Sequence, residues 1–585
     1  MDTRQQESNT NGKADQRVSQ SAWFGRRIVS TLPVFVILLG LLVSISGLTL
    51  VPWKTDPTNQ RIETLSRNTD VTFDNPRGVR LARLGDDTVR SRHITVDARR
   101  PSTGEVQHIR VNIREPQVAQ SSNVSASPKL PAVVFMHGAG YGTCDDSFGD
   151  VAEDFSSAGF VTAVLDKPVW STNDLTRDYP ASAKAYGQVV DYLRSLPEVD
   201  PGNVGLYATS ESTWISPYVI RNDKRIAFQI LLSPMVYKPR HSLGFFIAQD
   251  FSLVGANQGY QSIVRRLFHI DSDMFGLYNL DVPVDLPEAY AVPTLVAYGS
   301  KDVMTAQVDD VRHIYRSARQ AGNTNVTVRS YPVANHVLRL GDEAELGTPL
   351  ADQYEKDATD WAVGTVAGLT QSSESVAGKT LEQSIAVPKE LEPNRALTIY
   401  GVALHGCMLA TLLVAILMCV AALVMKVLRL LHSDKRPVFG LLNGFAGALL
   451  AISITTICTL ALFVAGLGQV ILAVVRLVWG GAPTENPGVM NWSWPVIQVA
   501  GTAIVWAWAD VVVRLVELAR SRRIRLPHLP TGASWGDDGS VPRWKEDGRG
   551  PVLATTMFGR VVFWFVAAAM FQVLLFFAFW GIFVY

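Results

Sequence analysis

Five apolar runs, each long enough to cross the hydrocarbon core of a bilayer, bracket a stretch with the composition of a water-soluble domain. They lie at 28–51, 400–425, 439–467, 494–515 and 561–585, with the mixed stretch at 52–395. A bilayer interior accepts such runs as helices, because every backbone polar group must be satisfied within the segment. The lipid bilayer is therefore an expected partner. The formal net charge is +0, so no global field favours nucleic acid, and none is expected as a partner.

The first run, "IVSTLPVFVILLGLLVSISGLTLV", follows Arg26 and Arg27. A cleaved signal peptide is the competing reading. Its apolar region would be shorter and would end in a small-residue cleavage site, so a retained anchor is expected. Loop charges set orientation. Lys13, Arg17, Arg26 and Arg27 precede the first run, and Lys426, Arg429, Lys435 and Arg436 follow the second. Arg520, Arg522, Arg523 and Arg525 follow the fourth, while "GGAPTENPGVMNW" after the third has no Lys or Arg. One assignment satisfies these charges. Residues 1–27 form a cytoplasmic tail, 52–369 an extracytoplasmic domain and 370–396 a polar linker. Residues 397–585 form a four-helix membrane region ending outside, which makes a multi-pass plasma-membrane protein of five spans. Residues 437–480 are long enough for two spans broken at Gly466 and Gly468. Splitting them would move Arg520–Arg525 outside, so one span plus an interfacial stretch is expected.

Within the outer domain, "RHITVDARRPSTGEVQHIRVNIREP" (92–116) shows alternation on both sides of a Pro-Ser-Thr-Gly turn, the pattern of a hairpin. Continuous apolar strands then alternate with helices: "AVVFMHG", "VTAVLD", "VGLYA", "FQILLS", "TLVAYG" and "VTVRSY" are the strands. Between two of them, Tyr186, Val189, Val190 and Leu193 make one apolar helical stripe. This alternation implies a mainly parallel sheet covered on both faces, the α/β class. Ligands of such sheets bind beyond the carboxyl ends of the strands. Ser210, His137, Gly138, Asp302 and His336 all fall there.

A serine hydroxyl needs a neighbouring base to take its proton, and a third group to orient that base. Ser210, Asp302 and His336 supply nucleophile, acid and base. His313 is the only other histidine between Asp302 and the second span, and it sits in a helical pattern beside Val311, Ile314 and Tyr315. His336, in the loop "YPVANHVL", is the better base. Oxyanion donors are expected at "HGAGYG" (137–142), from Gly138 and Ala139, and at the N–H of Glu211 after the nucleophile. The Glu211 side chain has no assigned role beyond exposure or a hydrogen bond. Ser210 stands in "ATSES", where the Gly-x-Ser-x-Gly frame has Ala208 and Ser212 in place of glycine. Both are small enough for the tight turn.

Residues 90–365 resemble the α/β-hydrolase superfamily, with esterases, serine aminopeptidase-like and dienelactone-hydrolase-like members nearest. "PAVVFMHGAG", "YLRSLPEVDPGNVGLYATSES", "VPTLVAYGSKD" and "YPVANH" carry the likeness, in the Ser…Asp…His order of that fold. The departures at Ala208 and Ser212 bear on activity more than on fold. The resemblance implies that the insertion at about 235–290 forms a cap over the site. Its Phe245, Phe246, Phe251, Leu267, Phe268, Met274, Phe275 and Tyr278 either receive an acyl chain or pack the cap onto the core.

The remaining signals are weaker. "AGKT" (377–380) lacks the phosphate-loop glycine, and neither a metal-binding helix nor a Cys-x-x-Cys pair exists, so neither cofactor nor metal is expected. Cys144 is alone in the outer domain, so no disulfide forms there. Cys407, Cys419 and Cys458 lie in the spans. Gly440, Gly444 and Gly447 suit close helix packing, within the chain or between copies. Asp510 and Arg514 form either a transport-path pair or a snorkelling pair. His405 is too isolated to interpret.

The expected function is an extracytoplasmic serine hydrolase, membrane-anchored and acting on acyl esters of lipids or the cell envelope. The alternatives are an acyltransferase using an envelope sugar or lipid hydroxyl, and a catalytically inactive module that senses or assembles.

Overall fold

The computed structural model describes residues 28–51, 53, 58–117, 129–140, 142–168, 170, 177–276, 280–341, 347–433, 437–441, 443–479, 481–482, 486–521 and 553–585. Tyr278 and the tail 1–27 lie outside the described residues. So do the orienting charges Lys13, Arg17, Arg26, Arg27, Lys435, Arg436, Arg522, Arg523 and Arg525.

Residues 92–116 do form a hairpin. β3 (Thr88–Arg99) pairs antiparallel with β4 (Val106–Gln117), and Gly104 takes the positive φ that the turn requires. From there the chain alternates β5 (Leu130–Met136), α2 (Gly149–Ser157), β6 (Val161–Leu165), α3 (Tyr179–Ser195), β7 (Val199–Thr209), α4 (Ser216–Asn222), β8 (Gln229–Leu232), β9 (Thr294–Gly299), α7 (Gln307–Gln320) and β10 (Val326–Tyr331). Two helices, α5 (Pro239–Leu253) and α6 (Gln258–Leu267), are inserted between β8 and β9, in the segment expected to cap the site and called the cap below. Helix α8 (Tyr354–Val366) follows β10.

These strands, with β12 (Val376–Gly378) at the edge, make a nine-stranded sheet in the order β12-β10-β9-β8-β7-β5-β6-β4-β3. It is parallel from β6 to β12 and antiparallel only at β3, β4 and the β4–β6 junction. One face buries Tyr186, Val189, Val190, Leu193 and Ile314 from α3 and α7, and the other buries Val151, Phe155, Tyr354 and Trp361 from α2 and α8. This is a mainly parallel α/β sheet with helices packed on both faces.

The linker expected at 370–396 is folded instead. β11 (Thr370–Gln371) pairs with β2 (Phe73–Asp74), β12 extends the main sheet alongside β10, and β13 (Leu381–Gln383) pairs with β1 (Gln60–Ile62). Its overall polarity hid a minority of apolar residues that find the core: Leu381, Ile385, Val387 and Leu391 are all buried. The strands also pair the backbone groups that an open sheet edge would expose.

Five helices are long and apolar enough to cross a membrane: α1 (Ile28–Leu48), α9 (Arg395–Leu431), α10 (Asn443–Val478), α11 (Val489–Ser521) and α12 (Met557–Phe579). α10 runs unbroken through Gly466 and Gly468, so the interfacial stretch expected after 467 is a continuation of the helix. Gly466 serves proximity instead, because a Cβ there would lie 1.9 Å from the Tyr260 hydroxyl. Of the glycine triplet, Gly447 meets nothing within 4 Å, whereas a Cβ at Gly444 would strike the Arg514 guanidinium. That guanidinium also bonds Asp510 at 2.8 Å. His405 accepts from the Trp580 indole at 3.0 Å and bonds the Gly401 carbonyl at 2.6 Å, a packing role among aromatic rings.

The cap seats on these helices. The Tyr260 hydroxyl lies 2.8 Å from Ser493 Oγ, and the ring stands edge-on to Trp494 at 5.0 Å. The Asn257 N–H donates to the Met490 carbonyl, and Arg266 reaches the Ser46 carbonyl at the end of α1. Phe245, Phe251 and Phe268 are buried in the same core as Phe463, Trp494 and Phe577. Of the two readings of the cap aromatics, packing is the one these three rings take.

Candidate active site

Ser210 stands at the carboxyl end of β7 with φ +50°, the left-handed region that an L-residue enters only under constraint from its surroundings. The constraint comes from Ser212. Its hydroxyl accepts from the Thr209 N–H at 2.7 Å and lies 2.8 Å from the Met136 carbonyl of β5. The residue that replaces a glycine of the usual frame thus ties the turn to the neighbouring strand. A short 3₁₀ turn, Ser210–Trp214, follows directly, and the N–H groups of its first residues have no partner within the turn.

His336 Nε2 lies 2.8 Å from Ser210 Oγ, and its Nδ1 lies 3.0 Å from Asp302 Oδ1. Asp302, after β9, also accepts from the Met304 N–H at 2.8 Å and the Thr305 hydroxyl at 2.5 Å. Burial would raise its pKa, but the His336 imidazole and these two donors outweigh it and hold the carboxyl below its ordinary value. His336 is held in turn by Ser233 Oγ, which donates to its carbonyl at 2.6 Å. His313 instead faces Asp285 at 3.1 Å on α7.

Gly138 follows β5 beside the serine: a Cβ on it would lie 3.4 Å from Ser210 Cβ. Its carbonyl accepts from Lys167 Nζ at 2.5 Å, and so does the Gly140 carbonyl at 3.1 Å. In a planar trans peptide the N–H points opposite to the C=O. Drawing the Gly138 carbonyl toward Lys167 therefore turns the Ala139 N–H the other way. Lys167 also bonds Glu211 Oε2 at 2.8 Å, and Tyr179 donates to Oε1 at 3.1 Å. One buried ion pair thereby fixes both backbone segments named as oxyanion donors, 138–139 and 211. Burial lowers the Lys167 pKa, and the Glu211 carboxylate counters part of that effect. The Glu211 side chain is buried rather than exposed.

His137 does not join the serine. Its ring bonds the Leu165 carbonyl, and burial lowers its pKa to about 4, so it is a neutral strut under the glycine loop. Lys167 escaped the reading of the sequence although it lies two residues beyond β6, where the rule that picked out Ser210 and Asp302 applies equally. Among the described residues, His93, Cys144 and Asp145 lie close enough together to share a metal ion. Arg110 occupies one Asp145 oxygen at 2.7 Å, and burial pushes the Cys144 thiol to about 12, which opposes ligation by thiolate.

A cavity of about 590 Å³ opens at Ser210, within the range of small-molecule sites. Gly138, Tyr207, Leu232, Met304 and His336 line it, together with Val478 and Trp479 at the end of α10.

No protein-family model and no curated protein sequence matches the chain. Solved structures of hydrolase type resemble part of it. An esterase from the archaeon Pyrobaculum calidifontis is 17% identical over 48% of this chain and 83% of its own, with a TM-score of 0.32. A putative dienelactone hydrolase from Klebsiella pneumoniae is 13% identical over 46% and 95%, at 0.28. A putative dipeptidyl aminopeptidase IV from Bacteroides ovatus is 15% identical over 45%, at 0.30, and this chain spans 34% of its length. At such scores the fold rests on the strand order and connections themselves.

Proposed function

We propose that the protein is a membrane-anchored serine hydrolase that cleaves acyl esters, with its sheet domain on the outer face of the plasma membrane. The observation that carries this reading is the unbroken relay from Ser210 Oγ through His336 to Asp302, at 2.8 and 3.0 Å, on a serine held at positive φ. In the reaction His336 Nε2 takes the Ser210 proton as Oγ attacks the ester carbonyl. Asp302 keeps the imidazole oriented and stabilises its charge. The developing oxyanion is met by the N–H groups of Ala139 and Glu211. His336 then returns the proton to the leaving alcohol, and a water activated by the same imidazole releases the acid from Ser210.

Membrane anchoring is supported by the five long apolar helices and by the cap seated on their ends. The outer placement is supported by Lys426, Arg429 and Arg520, which lie at the helix ends away from the cap. The loop after α10, on the cap side, lacks Lys and Arg.

Full-length protein in detergent, given p-nitrophenyl butyrate with and without glycerol, tests the chemistry. Free butyrate is expected, and it should vanish in Ser210→Ala. Butyrylated glycerol as the main product would make the protein an acyltransferase. Turnover that persists in Ser210→Ala would remove the serine from the reaction.

A further inference from the structure

α10 is longer than a bilayer requires. At 36 residues it extends about 54 Å, against a hydrocarbon core of about 30 Å. On the membrane reading above, its lower part faces lipid through the exposed Ile454 and Ile457. On the same reading the upper part, where Gln469 and Arg476 are exposed on the flank, stands beyond the hydrocarbon. An exposed apolar face there has no lipid to cover it.

Such a face exists. Val464, Ile471, Val475 and Trp479 are 59%, 48%, 45% and 45% exposed. With 3.6 residues per turn they fall on one stripe, which Ile457 continues downward and from which Gln469 and Arg476 are displaced. Gly468 lies on the same stripe with nothing within 4 Å of where its Cβ would be, so the surface is shallow at that point. The helical bond from the Trp479 N–H to the Val475 carbonyl carries the stripe to its last residue. It runs about 22 Å from Val464 to Trp479. Its upper end reaches the cavity that contains Ser210, where Val478 and Trp479 form part of the wall together with the glycine loop.

Among the described residues, the cap aromatics Phe245, Phe251 and Phe268 are committed to the helix bundle and none of the three lines the cavity. Resting on the hydrolase reading above, we propose that this stripe is the acyl-chain track of the enzyme. The substrate is a membrane lipid bearing a long acyl chain, which lies along α10 with its lower end still in the bilayer. Its ester bond meets Ser210 just past Trp479. The membrane helix is then part of the substrate site, and the lipid is cleaved without leaving the apolar surface.

The test uses full-length protein in phosphatidylcholine nanodiscs, with p-nitrophenyl acetate and p-nitrophenyl palmitate as paired probes. Active enzyme is counted by fluorophosphonate titration. Ile471→Asn, Val475→Asn and Trp479→Ala are each expected to lower the palmitate-to-acetate ratio of kcat/KM by about tenfold or more, the scale of lost apolar contacts in a site. Ile416→Asn, at an exposed position on α9, controls for a polar residue in the membrane and should keep the wild-type ratio. An unchanged ratio in all three variants, or an equal fall in Ile416→Asn, overturns the track. Wild type that hydrolyses acetate with no preference for palmitate also overturns it, while leaving the hydrolase reading intact. Wild type that cleaves neither ester and takes up no fluorophosphonate removes the hydrolase reading first, and the track with it.

Discussion

The rim of the sheet and the cap each bury an aspartate, and the two end in opposite electrostatic states. Asp302 at the rim has three donors, from His336, Thr305 and Met304, and stays below the ordinary carboxylate range although it is buried. Asp250, on the cap helix α5, is fully buried with no hydrogen-bond partner on either oxygen. Burial first, and the nearby Asp302 charge second, push it up to about 9. Equal burial therefore gives a charged carboxylate where the local loop supplies donors and a neutral acid where it does not. The rim is built to hold a buried charge. The cap is built to close apolar surface against the long apolar helices, and its stranded carboxyl at Asp250 is silenced by protonation.

The contrast can be tested from its strongest point downward. Removing the base, as in His336→Ala, is expected to lower kcat by about 10⁴-fold with KM nearly unchanged, read by steady-state ester hydrolysis. Lys167→Met should cost about 10²-fold in kcat, the size of losing one oxyanion donor, again with little change in KM. Glu211→Gln alone, which can still accept from Lys167, should lose much less than Lys167→Met. A variant that merely loosened the fold would move thermal stability without this split. Asp250→Asn should leave kcat near wild type and change the pH dependence of stability. The folded carboxyl titrates near 9 and the unfolded one near 3.8, so the folded state binds the extra proton between those values. Wild-type stability thus falls as pH rises across that window, and the amide variant should lose this slope in thermal unfolding scans. The smallest effect belongs to Ser212→Gly, which restores the usual frame but deletes the tie to Met136. About 1 kcal/mol of stability should be lost, with activity changed by less than about threefold.

The residues at the rim were legible because parallel strands announce themselves as continuous apolar runs, and useful polar residues follow their ends. Ser210, Asp302, His336 and Gly138 were found that way. Lys167 satisfied the same rule and was passed over, because a lysine after a strand looks like surface until its ammonium is seen against two carbonyls and Glu211. The folded segment 370–396 was illegible for a different reason. Its strands are two or three residues long, too short for any periodicity, and β11 and β13 depend on partners more than two hundred residues away. The destination of Tyr260 and Phe251 was equally hidden, since an aromatic side chain in an insertion gives no sign of which of two apolar surfaces will receive it. The stripe on α10 could be counted in the sequence as an apolar face. Only the placement of Val478 and Trp479 in the wall of the Ser210 cavity gave it a direction.

The most direct test of the relay is covalent. Full-length protein treated with a fluorophosphonate and digested should carry one adduct, on the peptide containing Ser210. The rate of labelling should fall sharply in His336→Ala and disappear in Ser210→Ala. Labelling that is absent from the wild type, falls on another serine, or proceeds unchanged without His336 would contradict an activated nucleophile at the end of β7.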